Sequence, residues 1–237
     1  MIRGKVVDDL FGAAHTLLRH LPGGMGVATV AACTVFAAIS GSSVATALTI
    51  GSAAIPLMIR YGYSPRFAYG VVGGGGTLGI LIPPSGPMVL FGVVSDTSIG
   101  ALFMAGVVPG LLLAAIFAVY CMTSARLNRG TVKQEPRATA GEILGALRRS
   151  FWSLMLPVLV LGGMYFGVFT ATEAAAAGAL AALAIAAFVY RTLSLRDVWK
   201  AAIDAARNTA MLFLILAAAA MLGNALTKLR IPMQMVD

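Results

Sequence analysis

Two uncharged interruptions of apolar sequence hold the residues best placed to do chemistry. The first is Ser40-Gly41-Ser42-Ser43. The second opens with Gly73-Gly74-Gly75-Gly76-Thr77-Leu78-Gly79 and closes with Pro83-Pro84-Ser85. Both offer hydroxyl and backbone carbonyl oxygens and no carboxylate. Such a set suits a monovalent alkali cation, whereas Zn²⁺ and Cu²⁺ prefer nitrogen and sulfur. The backbone adds partial charge. A helix ending in a break presents free carbonyls and partial negative charge, which favour a cation. A helix starting there presents free N–H groups and partial positive charge, which favour an anion.

Other chemistries have weaker support. His15 and His20 stand five apart with no HExxH pattern and no Cys partner, so they do not read as a metal site. Cys33 and Cys121 sit alone in apolar runs and read as buried thiols rather than a disulfide. Gly74-x-Gly76-x-x-Gly79 matches the dinucleotide fingerprint in form only. No strand precedes it, Pro83-Pro84 blocks the helix it requires, and no ribose-binding acid follows at the usual distance. No Gly-Lys-Ser/Thr phosphate loop is present. Glu173 could serve a proton relay, but Thr170-x-x-Glu173 is also a capping box, the better reading. Asp96 reads as a loop residue. No Ser/His/Asp, Cys/His or paired-carboxylate set is evident, so the chain does not read as an enzyme.

The elements that carry these breaks belong to a membrane. The 237 residues are 59% hydrophobic and 11% charged, with a mean hydropathy of +0.90. Soluble domains carry about 25% charged residues. Net charge is +8, from 17 Lys+Arg against 9 Asp+Glu. The basic residues lie between apolar runs rather than on one face of a domain, which excludes a nucleic-acid surface and fits the positive-inside rule. The N-terminal MIRGKVVDDL has no apolar core and is not a signal peptide.

Apolar periodicity divides the chain into an all-α, polytopic array. Residues 3–21 form an amphipathic surface helix. Residues 25–59 are too long for one span of a bilayer core of about 30 Å. Split at Gly41 they give two short arms, a re-entrant hairpin, although two thin spans also satisfy the length. Residues 67–95 form a broken helix, started by Ser64 as N-cap and Pro65 at N1. Gly70-x-x-x-Gly74 and Gly75-x-x-x-Gly79 match helix-packing patterns. Four consecutive Gly followed by Pro-Pro exceed what packing needs. The first half-helix is therefore expected to end near Gly76–Gly79 and the second to begin near Ser85. Spans follow at 101–125, 152–169, 174–190 and 209–227. Residues 126–150 read as a basic surface segment containing the capping box Thr139-x-x-Glu142. Residues 194–207 read as a second surface helix, opened by Ser194-x-x-Asp197.

Charge sets the topology. Arg3, Lys5 and Arg19 precede the hairpin, and Arg60 and Arg66 follow it. Arg126, Arg129, Lys133, Arg137, Arg148 and Arg149 fill one later loop, and Arg191, Arg196, Lys200 and Arg207 another. The loops around Asp96 and Glu173 carry no Lys or Arg. Placing the basic loops in the cytoplasm gives an alternating arrangement that returns residues 25–59 to the side they left. Lys228 and Arg230 alone fall outside it.

The chain resembles the large membrane subunit of tripartite ATP-independent periplasmic (TRAP) transporters of the C4-dicarboxylate type. The residues that carry the resemblance are LPGG (21–24), AAISGSSVATA (37–47), IGSAAIP (50–56), GTLGILIPPS (76–85), SIGALFMAGVVPGLLLA (98–114) and GVFTATEAAA (167–176). In the last, Ala171 stands where the family usually has Pro. The resemblance implies a sodium-driven, elevator-type symporter in the bacterial inner membrane, importing organic anions such as dicarboxylates or acidic sugars. The implied partners are a small membrane subunit and a periplasmic substrate-binding protein, with the bilayer around them. Na⁺ is the implied coupling ion, with no other cofactor and no nucleic acid. Carried over, the sodium and substrate residues are Ser40, Gly41, Ser42, Ser43, Gly76, Thr77, Gly79, Pro83, Pro84 and Ser85.

The resemblance covers nearly all of this chain but only the middle of the family pattern. It implies half of an inverted-repeat fold, a fragment that alone does not transport. Two other readings remain: another sodium–anion or metalloid carrier with re-entrant hairpins, which would need no periplasmic binding protein, and a non-functional truncated membrane fragment.

Overall fold

The computed structural model describes residues 5–127, 135–191 and 193–229. Arg3, Arg129, Lys133 and Arg230 of the charge pattern lie outside the described residues, as do the first two residues of the 3–21 segment. Every regular element among the described residues is helical. The chain divides into two units, residues 1–192 and 193–237.

In the first unit, α1 (Lys5–Leu18) buries Val7, Leu10 and Phe11, the apolar stripe expected of it. It packs on α2, α3 and α7. Helix α2 (Gly24–Ser40) is apolar all round and is the most completely buried element, as a helix without a polar face must be. Helix α3 (Ser43–Arg60) follows after two residues and packs against it.

Helix α4 (Pro65–Leu81) lies on both α2 and α3, with Ser64 as N-cap accepting from Phe67 N–H. Helix α5 (Gly86–Ser95) continues after the break, and α6 (Ile99–Leu127) runs back along α2 and α4. Helix α7 (Ala140–Tyr165) and α8 (Ala171–Ala184, continued by a π-turn at Ile185–Val189) pack on each other.

The second unit contains α9 (Leu195–Lys228), of which no residue is buried. Six helices are long and apolar enough to cross a membrane, the α4–α5 pair counting as one. At 17 residues, α2 is shorter than these. The protein is an all-helical, polytopic membrane protein.

Three expectations are corrected. Residues Gly73–Gly79 do not end a half-helix. They lie inside α4, which runs on to Leu81, and the break falls at residues 82–85. Glycine costs a helix only about 0.5–1 kcal/mol, and here the missing Cβ atoms let other helices come close.

The segments 194–207 and 209–227 are one uninterrupted 34-residue helix. No Pro or Gly stands between them, so nothing forces a turn. The 152–169 span starts earlier, because the Thr139–Glu142 box nucleates α7 at Ala140. Residues 166–169 form the turn after it. All three expected capping boxes form, at Thr139–Glu142, Thr170–Glu173 and Ser194–Asp197.

Candidate functional site

The first break is a two-residue connection. Helix α2 ends at Ser40 because Gly41 turns left-handed, at φ 61° and ψ 16°, and its N–H donates to Ala37 O. That conformation is costly for any residue with a Cβ. Ser42 then caps α3, its Oγ accepting Ala45 N–H at 3.3 Å.

The second break runs Ile82-Pro83-Pro84-Ser85. Ile82 N–H donates to Leu78 O, closing α4. Pro83 and Pro84 have no N–H to continue the ladder, and they are joined by a cis peptide bond. Ser85 is 1% exposed. It does not cap α5. Its Oγ donates back to Ile80 O at 2.6 Å, tying the break to the last turn of α4.

These two breaks meet. Gly86 N–H donates to Gly41 O at 3.4 Å. A Cβ on Gly41 would strike Pro84 O. A Cβ on Gly79 would stand 2.7 Å from the Ser42 carbonyl carbon and oxygen, and one on Gly76 2.7 Å from Ala47 Cβ and 3.1 Å from Ser43 O. The C-terminal ends of α2 and α4 and the N-terminal ends of α3 and α5 therefore converge on one small volume. Its oxygens are partial charges and hydroxyls only. In lipid, helices gain little from hydrophobic transfer to one another, so close backbone approach over small residues and hydrogen bonds must hold such a joint.

Of the ten residues named from the sequence, nine build this joint. Ser40, Gly41, Ser42 and Ser43 form the tip. Gly76 and Gly79 form the seat beneath it, and Pro83, Pro84 and Ser85 form the flanking break. Thr77 is the exception. It is exposed, and its Oγ1 donates to Gly74 O at 2.6 Å in its own helix.

Thr46 was not named and belongs to the tip. It is fully buried, its Oγ1 donates to Ser42 O at 2.8 Å, and it lies 2.9 Å from Ser40 Oγ. Its position four residues after Ser42 was the available signal, since a threonine there back-bonds to the N-cap carbonyl.

An apolar cavity of ≈ 500 Å³ adjoins the joint, with Ile39 and Pro84 on one side and Phe103, Val160, Thr172 and Ala175 on others. The GVFTATEAAA motif thus faces the ISGSS and PPS motifs. Glu173 of that motif is exposed and engaged as a cap, its Oε2 accepting Thr170 N–H at 2.8 Å. Asp96 ends α5 in a left-handed conformation and is exposed. Among the described residues, no three His, Cys, Asp or Glu gather as a metal site.

Comparison with known proteins gives the family. Residues 1–237 match the family described as the tripartite ATP-independent periplasmic transporter, DctM component. The chain is 44% identical over 232 residues to the C4-dicarboxylate TRAP transporter large permease protein DctM of Pseudomonas aeruginosa, covering 98% of this chain and 54% of that protein. It is 40% identical over 217 residues to the ectoine TRAP transporter large permease protein TeaC of Halomonas elongata, covering 92% and 50%. To the sialic acid TRAP transporter permease protein SiaT of Haemophilus influenzae it is 30% identical over 237 residues, covering 100% and 38%. The chain spans about half the length, or less, of these relatives. Proteins of this kind are multi-pass inner-membrane transport proteins, not enzymes. The chain belongs to the DctM family of TRAP transporter large permease subunits.

Proposed function

We propose that the joint between the α2–α3 tip and the α4–α5 break is one half of a sodium site, in a permease that imports a small organic anion. The observation that carries this reading is the seating of Ser42 and Ser43 on Gly76 and Gly79, with Pro84 against Gly41. It brings two helix C-termini and a set of uncharged oxygens together without a carboxylate. That arrangement favours a weakly held alkali ion over a divalent one. The two helix N-termini at Ser43 and Gly86 face the same volume and favour an anion beside the ion.

On this reading the α2–α3 pair enters and leaves the bilayer from the cytoplasmic side, as the basic loops suggest. The remaining wall of the site comes from sequence of the longer family pattern, related by the inverted repeat of an elevator-type fold. The anion is delivered by a periplasmic binding protein, and a small membrane subunit completes the complex. The relatives are named for C4-dicarboxylates, ectoine and sialic acid, while the tip itself carries no charged side chain. Substrate choice is therefore assigned to surfaces outside the tip, and dicarboxylates or acidic sugars are the favoured class.

The test is uptake into proteoliposomes by a chain of the relatives' full length carrying this sequence, with both partners. Inward sodium is expected to drive accumulation and potassium is not. Equal uptake with either ion would overturn the mechanism. Uptake that needs sodium but no binding protein would place the protein with a different class of sodium–anion carrier.

A further inference from the structure

The Gly70-x-x-x-Gly74 pattern on α4 would let a neighbour come close, yet half of it is unused. A Cβ on Gly70 would meet nothing within 4 Å, and the nearest neighbour of one on Gly74 would be the Phe117 ring, at 3.4 Å. The two glycines instead form one wall of a crevice of ≈ 310 Å³ between α4 and α6. Val30 of α2 and Cys121 of α6, both buried, lie at its floor, and Phe117 and Tyr120 of α6 form the facing wall. Gly70 and Tyr120 are exposed, so the crevice opens outward. No lining side chain is charged, and water would find few hydrogen-bond partners inside.

The crevice is a slot rather than a seat for another helix. Helices α4 and α6 are packed on each other, which bounds it. Its lining on α6 runs over six residues, 116–121, roughly 9 Å at 1.5 Å per residue. Over that length the ≈ 310 Å³ leaves a cross-section of about 34 Å², under half the roughly 80 Å² of a helix 10 Å wide. Inside a bilayer, the material of that width is the hydrocarbon chain. It fills an apolar slot without a transfer cost and restores the dispersion contacts that an empty slot forfeits.

One end of the slot is marked by charge. Phe67 stacks between Tyr63 and Tyr120, with ring centroids 5.5 and 5.9 Å apart. Arg66, next to Phe67, stands one turn before Gly70 and is exposed. It makes no ion pair among the described residues, and neither α4 nor α6 carries an Asp or Glu. An unneutralised guanidinium therefore stands at the head of an apolar slot, beside an aromatic stack of the kind found at headgroup depth.

We propose that this crevice binds one anionic phospholipid, with an acyl chain lying along Gly70 and Gly74 and the phosphate at Arg66. Arg66 belongs to the basic loops that the charge pattern assigns to the cytoplasmic side, where anionic headgroups concentrate and basic pockets between helices bind them. The crevice shares no lining residue with the joint between the tip and the break, so its test does not depend on transport.

The test uses a delipidated chain of the relatives' full length carrying this sequence. Native mass spectrometry reads its affinity for phosphatidylglycerol and for phosphatidylcholine of equal chain length. The parent is expected to hold phosphatidylglycerol about fivefold tighter, the contribution of one guanidinium at the surface. Arg66→Gln should remove the preference and keep the phosphatidylcholine affinity. Gly70→Leu should fill the slot and weaken the binding of both lipids, with the thermal midpoint of the delipidated protein undiminished. Gly73→Leu is the control. Its Cβ also meets nothing within 4 Å and it does not line the crevice, so both affinities should persist. Equal affinities in the parent, an unchanged preference in Arg66→Gln, or full binding by Gly70→Leu would each overturn the site. A fall in the midpoint of delipidated Gly70→Leu would assign the crevice to another segment of the longer chain and would overturn it too.

Discussion

Gly79 of α4 lies directly beneath Ser42 of the hairpin tip, so close that a Cβ would stand 2.7 Å from the Ser42 carbonyl carbon and oxygen and 2.9 Å from Ser43 N. All three neighbours are backbone atoms, which cannot rotate away. Gly79→Ala is therefore expected to lift the tip off α4. Overpacking of this kind costs about 1–3 kcal/mol. Thermal unfolding in detergent should show the loss. A variant as stable as the parent would mean that the tip and α4 are not in contact.

The glycine run separates into packed and free positions. Gly76 faces Ala47 Cβ at 2.7 Å, while Gly73 has nothing within 4 Å. Gly76→Ala should destabilise the chain. Gly73→Ala should stabilise it by about 0.5–1 kcal/mol, because alanine is the better helix former at an unobstructed site. The reverse pattern, with Gly76→Ala stabilising and Gly73→Ala destabilising, would contradict a helix that runs through the glycine run.

Thr46 and Thr77 provide a second contrast. The Thr46 hydroxyl is buried against Ser40 and Ser42, whereas that of Thr77 is exposed and turned to its own helix. Thr46→Val keeps the shape and removes a buried hydroxyl that bonds Ser42 O and Ser40 Oγ, at a cost of about 0.5–1.5 kcal/mol. Thr77→Val should change stability by less than about 0.5 kcal/mol. Thermal midpoints of the two variants, measured side by side, decide between them.

The capping boxes predict a modest, local loss. Thr139→Ala removes an oxygen that accepts Glu142 N–H at 3.4 Å, while the backbone N–H of residue 139 still donates to the Glu142 carboxylate. Helix N-caps of this type contribute about 1 kcal/mol. Exchange in the first turn of α7 should quicken, while the α2–α4 joint stays protected. Loss of protection throughout the unit would contradict a local cap.

Much of this was legible in the sequence because it depends on local chemistry. A Ser or Thr three residues before an acid marks a helix start whatever surrounds it, and all three such signals opened helices. Long apolar runs with uncharged interruptions marked membrane helices for the same reason. What escaped depends on partners. Glycine suits both a broken and a closely packed helix, and only the approach of Cys33, Ala47 and Ser42 to Gly75, Gly76 and Gly79 shows that α4 runs through them. Thr46 and Thr77 are alike as residues, and their rotation about α3 and α4 decides which reaches the tip. The continuity of α9 escaped because a change from amphipathic to apolar sequence does not by itself interrupt a helix.

The joint between the tip and the break is proposed as one half of a sodium site. Sodium binding by a chain of the relatives' full length carrying this sequence, followed as the rise in thermal midpoint with sodium over potassium at equal ionic strength, tests it most directly. Binding to the folded state alone raises stability with ion concentration, by about 2.7 kcal/mol at a hundred times the dissociation constant. The unaltered protein should show a sodium-specific rise, and Ser42→Ala and Gly79→Ala should each lose it while remaining folded. No rise with sodium, or an undiminished rise in both variants, would contradict the site.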